Sequence, residues 1–163
     1  MQYIVALAVL VSIAIFGVAD TNTSTPQHYD AVAAWVVRVA DGDTIVVRIN
    51  GREERVRYIG IDTPEHAREH HQEECYAHEA TEANKRVVAG KHVTLIRDSE
   101  DRDTYDRLLR YVYVDDLFVN AYLVQEGYAD TLFIPPNTQY ASTFTSLKDA
   151  AQADARGMWG QCP

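Results

Sequence analysis

The dipeptide Asn50-Gly51 stands between two runs rich in β-branched or alternating residues, Thr44–Ile49 and Arg52–Ile61, and it constrains the fold more than any other stretch. A type I′ hairpin turn needs positive φ at both central residues, which Asn and Gly tolerate, so the two runs are predicted to pair as antiparallel strands. Val32–Val39 supplies a third strand ahead of them. The hairpin also joins two acidic motifs, Asp41-Gly42-Asp43-Thr44 before it and Ile61-Asp62-Thr63-Pro64-Glu65 after it.

The rest of the chain continues the pattern. Cys75–Ala89 has helical formers and spacing, with Ala77, Ala80, Ala83 and Val87 on it and Gly90 placed to stop it. Lys91–Arg97 and Leu109–Val114 read as two more strands. Leu117–Glu126 reads as a short helix with Val119, Tyr122 and Leu123 on one side, ended by Gly127, and a last helix carries Tyr140, Phe144, Leu147 and Ala151 before Arg156-Gly157. Three strands, a helix, two strands and two helices make an α+β protein, and the inventory fits a five-stranded oligonucleotide-binding (OB-fold) β-barrel with about three helices. Tyr111, Tyr113 and Tyr122 are expected in the core or on the barrel surface, and Trp35 and Trp159 are expected to pack.

Tyr3–Val18 is uncharged and apolar, and Gly17-Val18-Ala19 puts small residues where a signal peptidase favours them, so residues 1–19 are read as a secretory signal. Positive residues are missing ahead of the apolar run, which leaves a retained membrane anchor as the other reading. Residues 20–31, rich in Thr, Ser and Asn, are expected to be a flexible leader, and 32–163 one domain. An exported chain meets an oxidising environment, and Cys75 and Cys162 are expected to form a disulfide, two unrelated thiols being the alternative. The expectation is a secreted monomer with no stable protein partner.

The formal charge of −9 weighs against nucleic acid as a partner, because a polyanion gains affinity from cations that displace its counterions. Local charge must decide. The basic residues are twelve Arg and only Lys85, Lys91 and Lys148, and a Lys-poor acidic surface is one means of staying soluble in high salt.

On an extended backbone Asp41 and Asp43 point to the same side, which is unfavourable unless a cation or basic group lies between them. Calcium takes oxygen ligands in flexible geometry, and Asp43 and Asp62 with a backbone carbonyl could supply several. An isolated Asp-Gly-Asp tripeptide is more commonly a solvated turn between strands, and it does not match the twelve-residue calcium loop. Arg57 and Asp62 lie five residues apart, so a straight strand would aim them at opposite faces. They converge only if Gly60 bends or bulges the chain.

The motifs Val39-Ala40-Asp41-Gly42-Asp43-Thr44, Val56–Glu65 and Tyr105-Asp106-Arg107, in this order and at these intervals, resemble the staphylococcal nuclease (thermonuclease) family. The resemblance runs from roughly Trp35 to Trp159 and takes in Leu123–Ala129 and Pro136-Asn137-Thr138. It implies a calcium-dependent endonuclease that cuts DNA or RNA to leave 3′-phosphate and 5′-hydroxyl ends. Asp43, Asp62 and the Thr63 carbonyl would bind calcium, with Asp41 and Thr44 supporting them. Glu65 would orient or deprotonate the attacking water, Arg57 and Arg107 would contact the scissile phosphate, and Tyr105 its neighbouring group. Charge that builds on a phosphodiester's equatorial oxygens is well matched by planar, permanently charged guanidinium forks.

The chain departs from the family pattern at three places. Thr104 stands where the family has Lys, and Asp106 where it has Gly, which puts an anion beside Arg107. Of the aromatic pair that would stack on a base, Phe133 aligns with one member and Pro135 falls near the other. His66, His70 and His71, beside Glu69, Glu73, Glu74 and Cys75, raise the thought of a zinc site, but a solvated acidic loop explains the same composition.

Overall fold

The computed structural model describes residues 31–67, 69–70 and 72–163. The signal segment and the leader as far as residue 30 lie outside them, as do Arg68 and His71. Ala31, placed at the end of the leader by the sequence, already begins the first strand.

The hairpin forms as its turn residues require, with φ of 49° at Asn50 and 83° at Gly51. It joins β2 (Thr44–Ile49) to β3 (Arg52–Tyr58), which pair from Ile49 opposite Arg52 to Thr44 opposite Arg57. β1 (Ala31–Val39) runs along the far side of β2, with an irregularity between Val36 and Arg38. β4 (Gly60–Asp62) follows β3, and α1 (Ala77–Val88) leads to β5 (His92–Ile96), which pairs with β1. β6 (Leu108–Val114) pairs with β5 on one side and, in parallel, with β3 on the other, Val56 opposite Leu108. The order β3-β2-β1-β5-β6 therefore returns to β3 and closes a five-stranded barrel with no free edge among these strands.

Alternation along the strands fills the barrel with Ile45, Val47, Val56, Tyr58, Leu95 and Val112, all essentially inaccessible to solvent. The short β7 (Leu117–Phe118) extends the sheet beyond β6 and runs into α2 (Val119–Gln125), followed by β8 (Asp130–Leu132), α3 (Ala141–Ala153) and α4 (Met158–Gln161). Buried Phe144 of α3 packs against Tyr111, whose ring centroid lies 6.3 Å away. Tyr111 is buried, while Tyr113 and Tyr122 are half-buried against the core. Trp35 differs from expectation: it is 40 % exposed and meets His92 edge-on at 4.9 Å between ring centroids.

Two elements depart from the sequence boundaries. The run Arg52–Ile61 is not one strand, because β3 ends at Tyr58 and β4 leaves the barrel to pair with β8. Gly60 makes the break, with φ of 81° and so little room that a Cβ there would lie 2.6 Å from Phe144 Cε2. Buried Asn120 holds the break in place: its amide donates to the Ile59 carbonyl at 2.9 Å and its oxygen accepts the Val112 N–H at 2.9 Å. The helix expected over Leu117–Glu126 gives up its first two residues to β7, which folds back on β6 in a tight hairpin over Asp115-Asp116, with Val114 opposite Leu117.

Cys75 and Cys162 are joined in a disulfide that ties the last residues to the start of α1 across a sequence separation of 87. Closing so long a loop lowers the entropy of the unfolded chain enough to stabilise the fold by about 4–5 kcal/mol on the chain-entropy model. Thermal melting in the presence of a thiol reductant, or of a Cys75→Ser/Cys162→Ser variant, should therefore show a fall of well over 10 °C for a domain of this size. An unchanged melting temperature would mean that the helices hold the C-terminus without the crosslink.

Candidate active site

The turn between β1 and β2 presents the first acidic motif. Asp41 Oδ1 accepts the Asp43 N–H at 3.2 Å, an Asx-type turn, and the Asp41 carbonyl accepts from Asn84 Nδ2 of α1 at 3.1 Å. Gly42 carries no side chain for a reason: a Cβ would lie 2.6 Å from Thr63 Oγ1. That close approach brings the two motifs together. Asp43 Oδ2 accepts the Thr63 N–H at 2.9 Å and the Thr63 hydroxyl at 3.0 Å, and Asp43 Oδ1 accepts the Thr44 hydroxyl at 3.2 Å. Asp43, Thr44 and Thr63 are all buried.

Arg57 completes the junction. One guanidinium nitrogen, Nη1, donates to the Ile61 carbonyl at 2.8 Å and the Tyr58 carbonyl at 3.1 Å and lies 3.1 Å from Asp43 Oδ2, while Nη2 donates to Asp62 Oδ1 at 2.7 Å. The bend at Gly60 is what turns Asp62 toward Arg57, so the distortion that convergence demanded is present. Asp43 is 7 % exposed at its side chain, against 51 % for Asp62, so one carboxylate is sealed and the other faces solvent.

Burial pushes the Asp43 carboxyl up to about 7 from 3.8, with the Arg57 guanidinium pulling the other way and Asp41 adding repulsion. Burial also raises Asp62, again opposed by Arg57. Because the folded-state value of Asp43 exceeds the unfolded one, the native protein holds this proton more tightly than the unfolded chain. The stability so gained is complete below about pH 4 and is lost as pH rises through about 7. In protein freed of divalent ions, the denaturation midpoint of Asp43→Asn should thus gain on wild type as pH goes from 4 to 7.5. Parallel profiles for the two proteins would show that Asp43 is ionised throughout.

Glu65 is half-buried just beyond β4. Its N–H donates to Glu74 Oε2 at 3.0 Å, and its carbonyl accepts the Glu74 N–H at 2.9 Å, so its backbone is held by the residue next to the disulfide. His66 does not join a metal cluster: its ring nitrogens contact Glu73 Oε1 at 3.0 Å and Thr81 Oγ1 at 2.8 Å. His70 is exposed, 3.8 Å from Glu69.

The third motif sits on the loop before β6 and is organised by Asp103, which sequence reasoning missed. Asp103 Oδ1 accepts the N–H groups of Tyr105 and Arg107 at 3.0 and 2.9 Å, and Oδ2 accepts Arg107 Nε–H at 2.7 Å. Burial works against the charged form, but these N–H donors and the guanidinium outweigh it and hold the Asp103 carboxyl below its usual value. Asp106 takes φ of 61°, the left-handed conformation that Gly would otherwise supply. Its carboxylate points toward Arg102, 3.5 Å away, and Arg107 pairs with Asp103 instead. The only sequence signal for Asp103 is its place at the head of a tight turn.

Arg57 and Arg107 face one cleft of about 520 Å³, whose wall also includes Asp103, Thr104, Leu132 and Ile134. Tyr105, 75 % exposed, stands at the rim with the Arg107 guanidinium 5.5 Å from its ring centre. Phe133 is not part of the wall; it is half-buried against the core, and its neighbours Leu132 and Ile134 are the exposed apolar residues there. In an extended segment alternate side chains face opposite ways, which sets Phe133 apart from Leu132 and Ile134.

Among the described residues no three His, Cys, Asp or Glu side chains gather as a metal cluster. The donors at the Asp43–Asp62 junction are two carboxylates with hydroxyl and backbone oxygens, a set that suits a hard cation whose remaining ligands are water. Asp43, driven toward protonation by burial, is the kind of carboxylate that a cation would hold ionised.

The family model for staphylococcal nuclease homologues matches residues 55–161, which includes Arg57, Asp62, Glu65 and Arg107 and begins after Asp43. The chain is 37 % identical over 124 residues to a thermonuclease of Staphylococcus intermedius, covering 76 % of this chain and 74 % of that protein. It is 33 % identical over 144 residues to a thermonuclease of Staphylococcus hyicus, covering 88 % and 82 %. Against endonuclease YncB of Bacillus subtilis the identity is 38 % over 126 residues, covering 76 % and 60 %.

Proposed function

The chain belongs to the staphylococcal nuclease family, and from that premise we propose that it is a secreted, calcium-dependent endonuclease. It hydrolyses phosphodiester bonds of DNA and RNA and leaves 3′-phosphate and 5′-hydroxyl ends. The observation that carries the reading is Arg57, which lines the same cleft as Arg107 and also bridges Asp43 and Asp62. A structural calcium site would need the two acids; a phosphate-reading cleft beside them needs the two arginines as well.

In this reading the two guanidinium groups bind the non-bridging oxygens of the scissile phosphate, and their fixed forks match the charge that builds there in the transition state. Glu65 orients a water for in-line attack and takes its proton as the new bond to phosphorus forms. The bond from phosphorus to the 5′ oxygen breaks, and that oxygen takes a proton from solvent water as it leaves. Tyr105 contacts the neighbouring group from the rim. Asp43 and Asp62, with the Thr63 carbonyl, would hold calcium, which when bound supplies positive charge to the reacting phosphate and water. Asp41 and Thr44 keep Asp43 in place. The signal-like residues 1–19 support export, and so does a cystine, which persists in oxidising compartments.

Purified protein given denatured DNA should cut it with calcium, stop on chelation and resume when calcium is restored. Intact DNA in calcium, with calcium still raising the melting temperature, would make this a metal-stabilised binding or structural domain instead.

A further inference from the structure

Glu65 lies between β4 and α1, where the described residues belong to no strand or helix, a poor platform for a group that must meet a water to within a fraction of an ångström. Its backbone is tied to Glu74, which closes the segment but does not set how the chain leaves Glu65. On one side Pro64 restricts φ. On the other side stands His66, and its ring is held at both nitrogens. Glu73 is an acceptor only, so in the neutral ring Nδ1–H donates to Glu73 Oε1 at 3.0 Å and Nε2 accepts the Thr81 hydroxyl at 2.8 Å. Thr81 is buried on α1, a helix that also reaches the first acidic motif through Asn84 and the Asp41 carbonyl. One rigid helix therefore locates both Asp41 and the residue next to Glu65.

We propose that His66 is a positioning residue for the reaction: docked between Glu73 and Thr81, it fixes the peptide that follows Glu65 and so aims the Glu65 carboxylate at the attacking water. The inference rests on Glu65 acting on that water. It assigns a function to a histidine that otherwise reads as part of a solvated acidic loop. Losing the dock leaves the base present but free to sample other directions, a defect that appears in kcat and not in substrate binding.

The test measures kcat and KM on denatured DNA for His66→Ala, Thr81→Val and Thr81→Ser, and for His66→Ala combined with Glu65→Gln. The expected result is a fall of about tenfold or more in kcat at unchanged KM for His66→Ala and for Thr81→Val. Thr81→Ser, which keeps the hydroxyl, should stay close to wild type. In the Glu65→Gln background His66→Ala should add no further loss, because a group that acts through Glu65 has nothing left to aim. An equal loss in both backgrounds, an unchanged kcat, or a rise in KM alone would overturn the proposal. A Glu65→Gln variant as fast as wild type would remove the Glu65 reading itself, and with it this one, which separates that failure from a failure of His66 alone.

Discussion

Glu65→Gln is expected to lower kcat on denatured DNA by about 10²–10⁴-fold while KM stays within a few-fold of wild type. Gln keeps the size of the side chain and can still hydrogen-bond a water, but its amide cannot accept the proton that water must lose. The two bonds from Glu65 to Glu74 run through the Glu65 N–H and carbonyl, both retained in the variant. A melting temperature within a few degrees of wild type assigns the loss of rate to chemistry. A fall of less than threefold would place proton removal on another group or on bulk solvent.

Arg57→Ala should have the largest combined effect on stability and rate. In the ion-free protein it leaves buried Asp43 with only Thr63 and Thr44 as neutral partners, and it leaves the Ile61 and Tyr58 carbonyls without their donor. Above about pH 7, where Asp43 is ionised, breaking this buried pair by removing one partner costs about 3–5 kcal/mol. Calcium should restore part of that, since a cation between Asp43 and Asp62 replaces the lost charge. The rate should fall by about 10²–10³-fold or more and should not return with calcium, because the fork that meets the phosphate is gone. Arg57→Lys should separate the two roles, recovering stability through its charge but little of the rate, since an ammonium cannot span the same acceptors. Exposed Arg55, two residues away on β3, is the control: Arg55→Ala should be nearly silent in both assays.

What could be read from the sequence was whatever local chemistry decides. Asn50-Gly51 announced the hairpin because few other dipeptides take positive φ twice, and the acidic motifs stood out because neighbouring carboxylates need a reason. Gly60 was legible as a condition: Arg57 and Asp62 could meet only if it bent the chain, and it does. β8 was not legible, since three residues that pair with β4 across the fold leave no periodicity to find. Asn84, Asn120 and Asp103 were invisible for a related reason. Each holds a loop or a break by hydrogen bonds to distant or turn backbone, yet in the sequence they look like any solvated polar residue. Asp106, which seemed to threaten Arg107, turned out to face Arg102, an outcome set by the left-handed turn and not by adjacency. The inward packing of Phe133 likewise depends on how β8 leaves the sheet.

The chemistry of the cut ends is the measurement to make before the others. Fragments from a limited digest of a DNA oligonucleotide in calcium would be offered to a polynucleotide kinase with and without prior phosphatase treatment. If Arg57, Arg107 and Glu65 direct water onto phosphorus with the 5′ oxygen leaving, the new 5′ ends are hydroxyls and accept phosphate at once, and the new 3′ ends carry phosphate. New 5′ ends that label only after phosphatase, with 3′-hydroxyls opposite them, would mean that the other phosphorus–oxygen bond breaks and that the roles given to these residues are wrong.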